Sequence, residues 1–326
     1  MKTLWPESPL VVILGPTAVG KTEVAIELAE RLDGEIISVD SRLFYRGMDI
    51  GTAKPTHAER RRAVHHLIDV ADPDQPWSLS KFQTEAQMCV ADIQQRGRLP
   101  LLVGGTGQYI RAVVEGWLPP DQPADTRLRE ALESWAGEIG RFELHHKLAI
   151  LDPDAASVID PTNLRRTVRA MEVIFSSGLR FSEQRRRRGS LYSVLQIGLT
   201  RPRPELYARI DARIEAMHAN GLLEETRQLM DKDYPATLPG LSAIGYREMI
   251  EVLEGRISLQ EALVLMKRKT REYVRRQANW FKLEDPNIHW FDIGQTSIET
   301  ILDFILSGKG WMVKNQFEVG DEQTLD

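Results

Sequence analysis

The octapeptide Gly15-Pro16-Thr17-Ala18-Val19-Gly20-Lys21-Thr22 constrains the architecture more than any other part of the chain. It has the form G-x-x-x-x-G-K-[ST] and follows a short apolar run at residues 10–14. After it, Val24, Ala25, Leu28, Ala29 and Leu32 recur at helical spacing. A strand, a glycine loop and a helix in that order turn successive N–H groups toward one anion, and the helix dipole adds to the attraction. Lys21 can reach terminal phosphates, and the Thr22 hydroxyl can ligate Mg²⁺. Such a loop recognises a diphosphate group and is not specific to ATP.

A second apolar run, residues 35–39, predicts a strand that delivers Asp40 at its carboxyl end. A third, residues 101–103, is stopped by Gly104-Gly105-Thr106-Gly107 and followed by an apolar helix. Strands alternating with helices predict a parallel sheet whose ligands bind beyond the strands' carboxyl ends, where all three loops lie. The pattern changes after about Gly116. Residues 118–123 are linker-like, helical periodicity then runs to about Arg188, and strand character returns at 194–199. The predicted fold is therefore α/β: a P-loop NTPase-like parallel sheet flanked by helices, with an inserted all-helical domain. The core occupies 1–119 and 196–313, the insertion 120–195, and an acidic, flexible tail 314–326. Ser258 and Glu261 form a capping-box pattern that opens a helix reaching to about Lys282.

Composition narrows the class. The longest apolar run has five residues, against the roughly twenty of a membrane helix. Nor does the start of the chain have the form of a signal peptide. A single cysteine, Cys89, excludes an internal disulfide and a cysteine-cluster zinc site. The cytoplasm is the expected location and a monomer the default state. Net charge is −5, yet residues 160–213 carry a local +7 and residues 267–282 a local +6. Segregation of this kind can give an acidic protein a face that attracts a polyanion, although most charge runs are solvated helix faces.

Individual residues admit more than one reading. Asp40 can hold Mg²⁺ through water, act as a general base, or serve as a turn or cap residue. The glycine cluster can bring backbone and the Thr106 hydroxyl against a ligand, or be only a tight turn. Arg209 and Arg213 share a helix face suited to a diphosphate, with Glu205 and Asp211 as competing partners. Arg275, Arg276, Gln277, Asn279, Trp280 and Lys282 mix cations, amides and an aromatic ring, which suits a nucleic-acid loop. Trp280 and Phe281 also suit a partly buried position. The pairs His65-His66 and His145-His146 lack the company of a metal site and are expected to be structural.

Taken together, the chain from about Val11 to Phe291 resembles the tRNA dimethylallyltransferases. The resemblance rests on GPTAVGKT, SVDSRLFYRGMDIGTAKP (38–55), LLVGGTGQYIRAVVEG (101–116), LSAIGYREM (241–249) and RRQANWFK (275–282). It implies transfer of a dimethylallyl group from dimethylallyl diphosphate to N6 of adenosine 37 in tRNA, with Mg²⁺ as cofactor. By the same resemblance, Gly15 to Thr22 and Arg213 hold the diphosphate and Thr22 the metal, joined by Asp40 through water. Asp40 is the general base and Thr106 lines the reaction channel. Contacts to the anticodon stem-loop are implied for Asp40, Ser41, Arg42, Leu43, Thr106, Arg129, Arg165, Arg166, Thr167, Val168 and Arg169. They are implied too for Ser242, Ala243, Ile244, Gly245, Tyr246 and Arg247, and for Arg275, Arg276, Gln277, Ala278, Asn279, Trp280, Phe281 and Lys282. Two positions depart from the usual pattern. Many members have Gln where this chain has Leu43, which puts one polar contact to RNA in question, and an aliphatic residue at Gln108. The absence of further cysteines matches bacterial-type members, which lack a zinc-finger tail.

Three alternatives share some of these residues. A small-molecule kinase would use the loop for ATP, but has no use for the helical insertion or the 38–55 block. Prenyl transfer to free adenine nucleotides would use the same core with less need of an RNA-binding insertion. An RNA-binding protein with a relic loop would not need Lys21, Thr22 and Asp40 intact.

Overall fold

The computed structural model describes residues 5–120, 125–184, 186–232, 234, 238 and 240–313. The chain opens with β1 (Pro9–Leu14), whose residues 10–14 are completely buried, as a strand covered on both faces of a parallel sheet requires. The phosphate loop follows and leads into α1 (Lys21–Leu32), which packs Val24, Ala25, Leu28 and Leu32 on the sheet. Next come β2 (Gly34–Val39), α2 (His57–Arg62), the two-residue β3 (His65–His66) and α3 (Leu79–Gln95). Then β4 (Leu99–Gly104) ends at the glycine cluster, and α4 (Gly107–Val114) starts immediately beyond it.

Residues 115–189 form a separate compact unit. It opens with β5 (Trp117–Leu118) and continues through α5 (Thr126–Ile139), α6 (Arg141–Leu151), α7 (Pro153–Val158), α8 (Leu164–Ser177) and α9 (Phe181–Gln184). It closes with β6 (Arg186–Arg187), which pairs antiparallel with β5. The insertion read as all-helical thus carries one short ladder. Its incoming and outgoing strands satisfy each other's backbone groups where the unit begins and ends. The unit has its own core, with Leu132, Leu144, Leu148, Val168 and Met171 at its centre.

The chain re-enters the first unit at β7 (Ser193–Thr200) and continues with α10 (Arg203–Ala219), α11 (Leu222–Met230), α12 (Tyr246–Leu253) and α13 (Leu259–Gln277). It ends with β8 (Ile288–Asp292) and α14 (Ile298–Leu306). The first unit comprises the described residues of 5–114 and 190–313. The sheet order is β3-β2-β4-β1-β7-β8, parallel throughout. Leu14 is in register with Gly104, and Val39 with the same Gly104. Three neighbouring strands therefore release their loops at one edge, with the glycine cluster in the middle.

The α13 capping box forms as read, Ser258 and Glu261 bonding each other's backbone N–H. The helix stops at Gln277 instead of about Lys282, because residues 278–280 tighten into turns bonded to the carbonyls of Val274, Arg276 and Gln277. Among the described residues no helix is long and apolar enough to cross a membrane. The tail at 314–326 lies outside the described residues, as does Arg185.

Candidate active site

The phosphate loop bends through three residues of positive φ, Gly15 at 150°, Ala18 at 65° and Gly20 at 113°. Gly20 is therefore a position where a side chain would strain the backbone. Lys21 folds back over the loop and donates to the carbonyls of Gly15 (3.0 Å) and Pro16 (2.8 Å). Burial pushes the Lys21 ammonium down to about 8; the Asp40 carboxylate opposes this shift and the Arg213 guanidinium adds to it. Two arginines brace the outside of the loop. Arg209 donates to the Ala18 carbonyl (2.9 Å) and Arg201 to the Val19 carbonyl (3.0 Å). Val19 itself is fully buried, so within the octapeptide it is a core anchor.

A cavity of about 480 Å³ lies against this loop, entirely within the first unit. Lys21, Thr22, Asp40, Arg213 and Gly105 line it, together with Leu43 and Tyr273. Asp40 is set by a turn: its Oδ1 accepts the Arg42 N–H at 3.0 Å and its carbonyl accepts the Leu43 N–H at 3.0 Å. The turn reading and the functional reading of Asp40 are thus compatible, since the turn aims the carboxylate. Arg213 donates to the Thr52 carbonyl (3.2 Å), and burial lowers its pKa while Asp40 opposes that shift. Thr106, one residue past the lining Gly105, bonds the Tyr273 phenol. Burial raises that phenol to about 12, with Asp40 adding to the rise, so it stays neutral.

The middle loop has to be glycine. A Cβ on Gly104 would overlap the Val39 backbone, and one on Gly105 would overlap the Gln277 side-chain amide. Gln277 explains the second overlap. Its Oε1 accepts the Thr17 N–H at 2.9 Å and its Nε2 donates to the Gly105 carbonyl at 3.0 Å.

The residues expected to meet RNA differ in their burial and in their partners within the chain. Tyr246 is fully buried, its hydroxyl donating to Glu225 Oε1 at 2.6 Å. That same carboxylate accepts the N–H groups of Asp49 (2.9 Å), Ile50 (2.8 Å) and Gly51 (3.1 Å), which clamps the segment leading to Thr52 and Arg213. Ala243 and Gly245 are also buried, Ile244 is half-buried, and Ser242 and Arg247 are exposed. In α8, Thr167 and Val168 are core residues, whereas Arg165 and Arg166 are exposed. Arg129 and Arg169 both pair with the fully buried Glu172, at 2.8 and 3.1 Å. At the end of α13, Gln277 and Phe281 are buried, and Arg111 donates to the Trp280 carbonyl at 3.0 Å. Arg275, Arg276, Ala278, Asn279 and Lys282 are exposed. Ser41 and Arg42 are half-buried beside Asp40.

The histidines behave as structural groups. His66 contacts Glu35 at 2.7 Å and His145 contacts the Ile159 carbonyl at 2.9 Å. Sequence reasoning missed Glu225 and Tyr273. Tyr273 stands four residues before Gln277 and so shares its helix face, a signal that was available. For Glu225 there was none, because the N–H groups it accepts lie about 175 positions away and Tyr246 lies 21 away, none of them on its own helix.

A phosphate loop, a carboxylate and a glycine loop on three adjacent parallel strands define a phosphate-loop transferase. The IPP transferase family model matches residues 43–284, and the isopentenyl transferase model matches residues 8–69. A tRNA dimethylallyltransferase of Roseiflexus sp. (strain RS-1) is 52% identical over 274 residues, covering 84% of this chain and 90% of the relative. The crystal structure of a tRNA isopentenylpyrophosphate transferase from Bacillus halodurans superposes with a TM-score of 0.70 at 42% identity, covering 93% of this chain and 97% of that one. A eukaryotic dimethylallyltransferase acting on tRNA gives a TM-score of 0.79 at 26% identity, over 94% of this chain and 81% of that one. The chain belongs to the IPP transferase family, that of the tRNA dimethylallyltransferases.

Proposed function

We propose that the protein transfers the dimethylallyl group of dimethylallyl diphosphate to N6 of adenosine 37 in tRNA, forming N6-isopentenyladenosine and releasing diphosphate. The observation that carries this reading is the cavity lined together by Lys21, Thr22, Arg213, Asp40 and Gly105, in which the Asp40 carboxylate acts on both cations. Diphosphate leaves readily only when its developing charge is met by cations and N–H groups. The α1 N-terminus, Lys21 and Arg213 supply these at one end of the cavity.

An exocyclic adenine amine is a poor nucleophile, because its lone pair is delocalised into the ring. In this reading N6 attacks C1 of the donor, the C1–O bond breaks, and its electron pair leaves with diphosphate. Asp40 accepts the N6 proton as the C–N bond forms, which avoids a cationic product. Tyr273 and Thr106, both neutral hydrogen-bonding groups, sit on the acceptor side and orient the base.

The donor set suits Mg²⁺. Among the described residues no three His, Cys, Asp or Glu cluster as a metal site. Mg²⁺, however, is usually held by one or two oxygen side chains together with substrate phosphates. The Thr22 hydroxyl would be one such ligand, and Asp40 another through water. When bound, the ion supplies positive charge to the leaving diphosphate.

For the acceptor, the exposed Arg165, Arg166, Arg275, Arg276 and Lys282 offer phosphate contacts, and Asn279 a polar contact. An RNA acceptor is consistent with work in the cytoplasm.

A competition assay tests this reading. Labelled dimethylallyl diphosphate, Mg²⁺, an unmodified anticodon stem-loop and free AMP are supplied together. Label at adenosine 37 of the stem-loop and not on AMP is expected. Label on AMP would replace the reading with prenyl transfer to free nucleotides.

A further inference from the structure

The last two turns of α13 carry two faces with different tasks. Tyr273 and Gln277 point inward: Tyr273 lines the cavity, and Gln277 ties the Thr17 N–H to the Gly105 carbonyl. Glu272, Arg275, Arg276 and Asn279 point outward and line a shallow surface depression. The spacing is helical on both sides, four residues for the inner pair and three and four from Glu272 to Arg275 and Arg276, with Asn279 in the turn just beyond the helix end. Nothing flexible separates the faces. Gln277 is 6% exposed and lies one residue beyond Arg276.

The chemistry of Gln277 is specific to its task. Thr17 offers a donor and Gly105 an acceptor, and a primary amide supplies one of each. The two partners leave the sheet side by side, because β1 and β4 are paired and Leu14 is in register with Gly104. Gly105 lacks a side chain where the amide passes, so the fit is made from both sides. One side chain therefore fixes the separation between the loop assigned to the donor and the loop that leads to the acceptor side.

We propose that Gln277 is a positioning residue that couples RNA docking on the outer face of α13 to the diphosphate loop. An RNA loop seated on Arg275, Arg276 and Asn279 holds the end of α13. Gln277 then holds the Thr17 and Gly105 backbones at their working separation, and the donor binds more tightly. Linkage requires the reverse as well: bound donor tightens the RNA by the same factor. The inference rests on the proposed function for the identity of donor and acceptor. It assigns Gln277 to the diphosphate loop, although its place within RRQANWFK suggested an RNA contact.

The test uses the full-length protein, Gln277→Met and Gln277→Glu. Met keeps the volume and removes both hydrogen bonds, and Glu keeps the acceptor but loses the donor. The affinity for dimethylallyl diphosphate with Mg²⁺ is measured by calorimetry with and without a stem-loop carrying purine riboside at position 37, which cannot react. In the wild type the stem-loop is expected to tighten the donor about tenfold, within the usual range of coupling between sites. In Gln277→Met the tightening is expected to fall below about twofold, with Gln277→Glu between the two. The thermal midpoint should fall by a few degrees for the two lost hydrogen bonds, while stem-loop affinity measured without donor should stay close to wild type, which a merely structural role would not allow. The coupling role is overturned if the wild type shows no tightening, if Gln277→Met keeps it, or if Gln277→Met loses stem-loop affinity by the same factor without donor. Failure of the proposed function looks different, because the wild type then fails to bind or label the stem-loop at all, and both readings fall.

Discussion

Lys21 makes donor capture sensitive to pH in a range where lysine is ordinarily inert. Its ammonium is pushed down to about 8 from the ordinary 10.5, chiefly by burial, with Asp40 opposing the shift and Arg213 adding to it. A lysine of pKa about 8 is ~90% charged at pH 7 and ~3% charged at pH 9.5. If only the ammonium form captures the diphosphate, kcat/KM for the donor falls about thirtyfold over that interval. An unshifted lysine would lose only ~10%. The sign follows from the group: lysine is charged below its pKa, so capture is complete in the acid part of the window and lost as pH rises through about 8. The assay is initial-rate transfer of labelled dimethylallyl to a saturating stem-loop from pH 7 to 9.5. Lys21→Arg serves as a control, since its cation does not titrate in that range. A wild-type profile that stays flat to pH 9.5, or a fall that persists in Lys21→Arg, would refute the reasoning.

Other outcomes follow from the same geometry. Asp40→Asn keeps the turn to Arg42 and removes the base, so turnover should fall by about 10² to 10⁴ while stem-loop affinity, read by filter binding, stays near wild type. Arg165→Ala and Arg166→Ala should each reduce the slope of log K against log salt by ~0.7, the share of one phosphate contact; an unchanged slope removes that residue from the RNA face. Glu172→Ala strips the buried partner of Arg129, Arg169 and the Asp125 N–H, and should cost about 3 kcal/mol in urea unfolding of the helical unit. Burial works against the Glu172 charge, but hydrogen bonds from Arg129, Asp125 and Arg169 win and hold its pKa below 4.5. Its contribution is therefore present above pH 4.5 and lost as pH falls through the lowered value, a loss that Glu172→Gln should no longer show.

The parts legible in the sequence are those set by local rules. The phosphate loop, its flanking strand and helix, Asp40 at a strand end and the Ser258 capping box all depend on residues within a few positions of one another. The parts that local rules do not reveal depend on distant partners. Tyr246 stands in a conspicuous motif, but its motif partner proves to be Glu225, 21 positions earlier, and the 49–51 backbone beyond that. Thr167 and Val168 directly follow two exposed arginines, Arg165 and Arg166, yet helical geometry turns them into the core. Arg169, in the positive 160–213 stretch, and Arg129, outside it, both pair with the buried Glu172. A motif marks a position as constrained without saying whether core or ligand constrains it. Only the three-dimensional pairing separates the two.

Because β4 lies between β1 and β2, two inter-strand spacings, roughly 10 Å, separate the backbone that grips the leaving group from the backbone that carries Asp40. The sheet acts here as a ruler whose graduations are backbone hydrogen bonds. Side-chain substitutions can alter the contacts at either mark and, as at Gln277, the set of the loops beyond the strand ends, but they leave the strand spacing itself in place. Bare glycine at the middle graduation, Gly104 and Gly105, keeps the span open, and the charges of Lys21 and Asp40 still influence each other across it. A donor with a longer leaving group would therefore call for a different strand order, and widening the pocket would not be enough.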